Sequence, residues 1–346
     1  MNGKTLISLG LATIFLTQCD LVENSREEYS FNGLTMGTTY TVKIVRIKGT
    51  MEQKTLSEIE KRTNDLLKNI NHRMSTYDKD SELSRFNRWE DTTWFEVSPE
   101  MMTVFRCGLD ISKKSGGAFD ITVGPLVNLW GFGPDTPDSA IPTDEKIQAE
   151  KQRIGYHHLK IRVDPPAIKK DRADVYCDLA AVAKGFAVDR VAEYLDSENL
   201  DDFLVEIGGE IRTLGRNQKN RPWKIGIASP DDPGGVYGVV DVSNTAMATS
   251  GDYRNFFEKD GIRYSHTIDP STGRPVRHNL TSVTVIAASC MMADAMATAI
   301  DVLGPEKGYE LAISEDLAVF MIVRQNGGFL DKMTPQFSTI MTKKGR

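Results

Sequence analysis

Apolar and polar positions change their period several times along the chain, and those changes divide it into elements. Between Thr39 and Ile47 they alternate, the period-two mark of a strand with one face buried. Met51–Asn71 instead spaces Leu56, Ile59, Leu66, Leu67 and Ile70 near helical intervals, the stripe of a helix lying on a sheet. Asp80–Asn87 opens like a short capped helix. Ser98-Pro99-Glu100 then supplies an N-cap, a first-turn proline and an acidic first turn for a helix running to Gly116-Gly117. Pro134–Asp144 reads as loop, Ala149–Val163 as a helix end passing into a strand around His158–Ile161, and Ala180–Leu195 as a helix with Val182, Phe186, Val191 and Leu195 on its apolar face.

The second half is richer in strands. Phe203–Ile207 and Glu210–Leu214 form a hairpin about Gly208-Gly209, and Trp223–Ala228, Val236–Val242 and Ala246–Ser250 continue the pattern. A further hairpin joins Tyr253–Glu258 to Ile262–Thr267 through Asp260-Gly261 and runs into the corner His266–Pro275. Ser282–Ala287 is a strand, Asp294–Leu303 a helix stopped by Gly304-Pro305, and Glu306–Ile313 and Ala318–Val323 close the chain as helix and strand. The pattern predicts an α+β protein of mainly antiparallel sheets flanked by helices, with no internal repeat.

Composition changes this picture little. The 346 residues are 40% hydrophobic and 26% charged, an ordinary globular balance, and a formal charge of -6 without clustered Lys and Arg argues against nucleic acid as a partner. The N-terminus adds more. Lys4 precedes the apolar run Leu6–Leu16, whose 11 residues would rise only about 16 Å as helix, too short for a bilayer core of roughly 30 Å; residues 1–18 read as a signal peptide. Leu16-Thr17-Gln18-Cys19 resembles the lipobox of bacterial lipoproteins, with Gln18 departing from the small residue usual there, and Asp20 resembles an inner-membrane retention signal. Lipidation at Cys19 would anchor the chain to the cell inner membrane on its periplasmic face, with residues 19–30 as a tether and residues 31–346 as a single domain long enough to hold two subdomains. Cys107, Cys177 and Cys290 lack CxxC spacing and sit in apolar contexts, so they read as core.

Candidate chemistry lies where polar groups interrupt apolar patterns. The corner after the second hairpin offers His266, Asp269, Ser271 and Thr272 at a loop mouth, or merely a tight hairpin exit. Asp178 precedes a helix whose first turn points N–H groups outward, with Lys184 one turn in; Asp178 either caps that helix or faces an anion. Asp294 and Thr298 stand at i and i+4, on one face at the start of their helix. Such oxygen donors suit Mg²⁺ or Ca²⁺, and they suit a helix terminus equally well. Gly131-Phe132-Gly133-Pro134 lacks the third glycine and the helix of a dinucleotide loop.

Taken together, Met36-Gly37-Thr38, Met74–Tyr77, Ser81–Asn87, Gly117–Asp120, Asp178–Asp189, Val205–Glu210, Thr249–Tyr253, His266–Pro275 and Asp294–Ala299 resemble, in order, the motifs of the ApbE family, the FAD:protein FMN transferases formerly called thiamine biosynthesis lipoproteins. The resemblance implies an ApbE, T-fold-like architecture. It also implies a reaction in which FAD is split at its pyrophosphate and FMN passes to a threonine of a partner, such as a subunit of a membrane redox complex, with release of AMP. By the same resemblance Met36, Tyr77, Ala118, Phe119, Asp120, Asp178, Lys184 and Ile268 would contact FAD, with Met36, Tyr77 and Phe119 as the wall for its rings. Mg²⁺, or Ca²⁺, would take Asp294, Thr298 and the carbonyl of Ala181. A threonine hydroxyl needs a base, and His266 is the candidate, with Asp269 as its orienting partner. Two other readings fit the same residues: a Mg²⁺-dependent FAD pyrophosphatase giving FMN and AMP, and a non-catalytic FAD-binding lipoprotein.

Overall fold

The computed structural model describes residues 25–135, 141–232, 234–251 and 255–341. The expected signal peptide and Cys19 lie outside them. In chain order, strands β1 (Arg26–Thr35) and β2 (Thr38–Ile47) form a hairpin about Met36-Gly37, both at positive φ. Helices α1 (Gln53–Met74) and α2 (Glu82–Asn87) follow, then β3 (Phe95–Glu96) and α3 (Pro99–Lys114). Short helices α4 (Gly124–Leu129) and α5 (Asp144–Lys151) lead to β4 (Leu159–Arg162) and β5 (Ala167–Lys170), and β5 pairs with both β3 and β4. Next come α6 (Ala180–Ser197), β6 (Phe203–Ile207), β7 (Glu210–Leu214), β8 (Trp223–Ala228), β9 (Val236–Val242) and β10 (Thr245–Gly251). The chain ends with β11 (Phe256–Lys259), β12 (Ile262–Ser265), β13 (Ile268–Asp269), β14 (Arg274–Pro275), β15 (Leu280–Ala287), α7 (Cys290–Ser314), β16 (Ala318–Gln325), β17 (Gly328–Met333) and α8 (Pro335–Ser338).

Eight strands make one sheet in the order β1-β2-β6-β7-β10-β15-β16-β17, each neighbouring pair antiparallel. Strand alternation gives the sheet two buried faces. Phe203, Val205 and Ile207 of β6, with Val319, Met321 and Val323 of β16, join the helices in one core. Leu204, Phe320 and Ile322 point the other way, against the β8-β9 pair and Phe337 of α8. A satellite cluster of Leu126, Trp130, Ile147, Tyr264 and Ile268 supports the loop lobe. Each large apolar side chain so buried stabilises the fold by about 1.5–3 kcal/mol, which sets the helices firmly on the sheet.

Two expectations change. Residues 26–30, expected as tether, belong to β1: Arg26–Ser30 pair with Lys43–Ile47. The helix expected from Asp294 starts at Cys290, because Ser289 caps it through the Met292 N–H at 3.2 Å; Asp294 therefore lies in the second turn. As expected, Gly304 breaks that helix, at φ 76°, and helical geometry resumes beyond it to the end of α7 at Ser314.

Candidate active site

The site forms where α6 crosses α7. Small residues let the helices approach: a Cβ on Gly185 would lie 2.4 Å from the Cys290 carbonyl oxygen and 2.8 Å from Asp294 Cβ. Asp189, on α6, accepts the N–H groups of Cys290 and Met291 at 2.9 Å each, so it caps α7 from outside and fixes the crossing. Arg212 neutralises it at 2.7 Å. At this crossing the Asp294 carboxylate is turned toward α6. The Gly185 N–H, one turn along α6 from Ala181, donates to Asp294 Oδ2 at 2.9 Å, which draws the carboxylate to the start of α6. Thr298 stands one turn further along α7, half-buried.

Lys184 Nζ lies 2.8 Å from Glu210 Oε1 and 3.6 Å from Asp294 Oδ1. Burial works against its charge, but Asp294 and then Glu210 outweigh that and hold the ammonium charged beyond the ordinary lysine range. Burial lifts the Glu210 carboxyl above its usual value against the pull of Lys184. Glu210 was given no role by the sequence. It follows a Gly-Gly turn in an alternating strand, where a glutamate ordinarily faces water, yet with α6 and α7 packed on β7 it is 3% exposed.

At the N-terminus of α6, Asp178 Oδ1 accepts the Ala180 N–H at 2.8 Å, and the Asp178 N–H donates to Ile121 O at 2.8 Å, tying the helix start to the turn after α3. Burial pushes the Asp178 carboxyl up, and the Ala180 N–H opposes the shift. Asp120 is engaged by that turn and by a distant segment: it accepts Thr122 N at 2.8 Å, Thr122 Oγ1 at 2.7 Å and Tyr156 N at 2.8 Å. Burial raises its carboxyl, and those donors work the other way. Asp120 therefore shapes the loop from within. Of the three residues expected as a wall for rings, Phe119 is 3% exposed, its ring already packed in the core. Tyr77 is 69% exposed and donates its hydroxyl to Phe132 O at 3.2 Å; burial of that hydroxyl and the Asp178 charge raise its pKa. Met36 is half-buried against the main core, Ala118 half-buried beside Phe119, and Ile268 buried in the satellite cluster.

His266 extends from the end of β12. Its Nδ1 lies 3.0 Å from the Asn255 carbonyl, which fixes the proton on Nδ1 and leaves Nε2 with its lone pair. Burial lowers its pKa, the Asn255 carbonyl opposes the shift, and the Lys184 charge lowers it further, so the neutral form prevails at pH 7. Asp269 is not its orienting partner: that carboxylate accepts the Ser271 N–H at 2.8 Å and closes the polar corner on itself. Phe132 packs edge-on against the imidazole at 6.3 Å, beginning a run of rings through Phe257 and Tyr264 to Trp130.

The ApbE family profile matches residues 36–321, which include every one of these positions. The chain belongs to the ApbE family. Among its ApbE relatives, a Vibrio cholerae protein is 44% identical over 323 residues, 93% of this chain and 95% of that one. One from Escherichia coli K12 is 39% identical over 348 residues, 98% of each chain, and both are named FAD:protein FMN transferase. The solved flavin transferase ApbE from Vibrio cholerae superposes with a TM-score of 0.84 at 42% identity, covering 91% of this chain and all of that one. The mixed fold with its large antiparallel sheet is thus the ApbE fold.

Proposed function

We propose that the chain is an FAD:protein FMN transferase, breaking the pyrophosphate of FAD and joining FMN by a phosphoester bond to a threonine of a target protein, with release of AMP. The observation that carries the reading is the bond from the Gly185 N–H to Asp294, which gathers a carboxylate, the Ala181 turn and the Lys184 ammonium at the head of α6. A divalent cation suits this donor set. Among the described residues no group of three His, Cys, Asp or Glu side chains is placed to hold a metal, so a borderline metal such as zinc finds no cage, whereas Asp294, Thr298 and the Ala181 carbonyl offer hard oxygens for Mg²⁺ or Ca²⁺. When bound, that cation would neutralise phosphate oxygens as a Lewis acid.

The chain's own residues do the rest. Lys184 and the N-terminus of α6 hold the diphosphate, and Tyr77 and Met36 offer apolar surface to the rings. His266 Nε2 takes the proton of the threonine hydroxyl as its oxygen bonds to the FMN phosphorus. The anhydride bond to the adenylate breaks, and AMP leaves with the electron pair. Incubation with FAD, Mg²⁺ and a threonine-containing acceptor, followed by intact mass, should show an added FMN that EDTA abolishes; release of free FMN and AMP with an unmodified acceptor would replace this reading with a pyrophosphatase. We further propose that residues 1–18 direct export and that Cys19 is lipidated, holding the enzyme at the periplasmic face of the inner membrane, where subunits of membrane redox complexes would be its acceptors. Among the described residues no helix is long and apolar enough to cross a membrane. Cys19→Ala should move the protein from membrane to soluble fraction.

A further inference from the structure

Lys184 faces two carboxylates of unequal standing. Glu210 Oε1 is the nearer at 2.8 Å, while Asp294 Oδ1 stands at 3.6 Å, the outer edge of an ion pair. Asp294 is also held by the Gly185 N–H, so its position does not depend on the lysine. Glu210 is anchored at the first position of β7, after the Gly208-Gly209 turn, and its Oε2 is buried with no hydrogen-bond partner among the described residues. Its carboxylate thus makes one strong interaction, and that is with Lys184. Remove it, and the ammonium has a single anion left within reach.

We propose that Glu210 is a positioning residue that draws Lys184 away from Asp294 and so keeps the Asp294 carboxylate available to a divalent cation. The inference rests on the reading of Asp294 as a metal ligand. An ammonium in close contact with a carboxylate competes with a cation for the same oxygens, and the competition is strongest where water is scarce. By holding the ammonium 2.8 Å from its own oxygen, Glu210 reduces that competition while leaving a positive charge beside the place where phosphates would lie.

The test is the affinity of the full chain for Mn²⁺, read from the free-ion EPR signal without flavin, with the thermal midpoint measured alongside. Glu210→Gln should weaken Mn²⁺ binding on the order of tenfold. Lys184→Met should strengthen it, and in the Lys184→Met background Glu210→Gln should change it little, because the competitor is gone. A carboxylate acting only through its own charge would weaken binding in both backgrounds, which overturns the proposal, as does equal affinity of wild type and Glu210→Gln. Failure of wild type to bind Mn²⁺ overturns the metal reading and this inference with it. If Glu210→Gln does not fold, Glu210→Asp, one methylene shorter, should shift affinity in the same direction, and an unchanged affinity there overturns the proposal.

Discussion

The imidazole of His266 has one nitrogen committed to a backbone carbonyl and one free, and that asymmetry makes a definite demand on pH. The base must be neutral, and burial depresses its pKa below 6.5, so the acidic limb of kcat/KM for flavin transfer should lie below pH 6.5. The same shift has a stability sign. The unfolded chain binds the proton more readily, so the contribution of His266 is fully present above about pH 6.5 and is lost as pH falls through the folded value. His266→Ala should slow transfer by about 10²–10⁴-fold and remove that limb, as stopped assays across pH would show. Asp120 makes a different prediction: with three donors relying on it, Asp120→Ala should cost roughly 3 kcal/mol in urea unfolding. At this scale the sequence singled out Lys184, Asp294 and His266, whose polar groups break apolar patterns, and the structure places Lys184 beside Asp294. Glu210 and the inward turn of Asp120 were not, because each depends on partners distant in sequence or on packing that no local pattern encodes.

The α6–α7 crossing governs the element scale. Gly185→Ala would press a methyl group into the Cys290 carbonyl, so the helices must separate; the expected cost is about 1–3 kcal/mol, with loss of the Asp294 contact and of transfer activity. Thermal denaturation and the intact-mass assay check the two effects separately. Strong periods made the long elements readable: α1, α3 and α6 and the β6-β7 hairpin lie within a few residues of their expected places. The start of α7 was hidden by the apolar run Cys290-Met291-Met292, which masks the Ser289 cap. β17 and β1 were missed because edge strands keep polar residues on their open side, so their alternation is faint.

Across the whole molecule, a ligand that binds only the folded state should stabilise it by mass action. FAD with Mg²⁺ at one hundred times Kd should add about 2.7 kcal/mol, and EDTA should remove most of it in a thermal shift experiment. Two buried faces on a single eight-stranded sheet explain why such a shift should be one cooperative transition: helices and the β8-β9 pair share the same strands. The α+β class was legible from alternation alone, whereas the strand order, which carries β10 beside β7 and β15, arises from contacts far apart in sequence. The early start of β1 has one more effect. Arg26 is fastened to the body by an ion pair with Asp202 and a bond to Asn220, and only seven positions separate it from Cys19. A fully stretched leash of that length reaches about 25 Å. An enzyme moored by lipid at Cys19 would patrol a thin slab of solution beside the bilayer, sweeping it in two dimensions, and acceptors whose threonines project farther out would have to bend down to meet it.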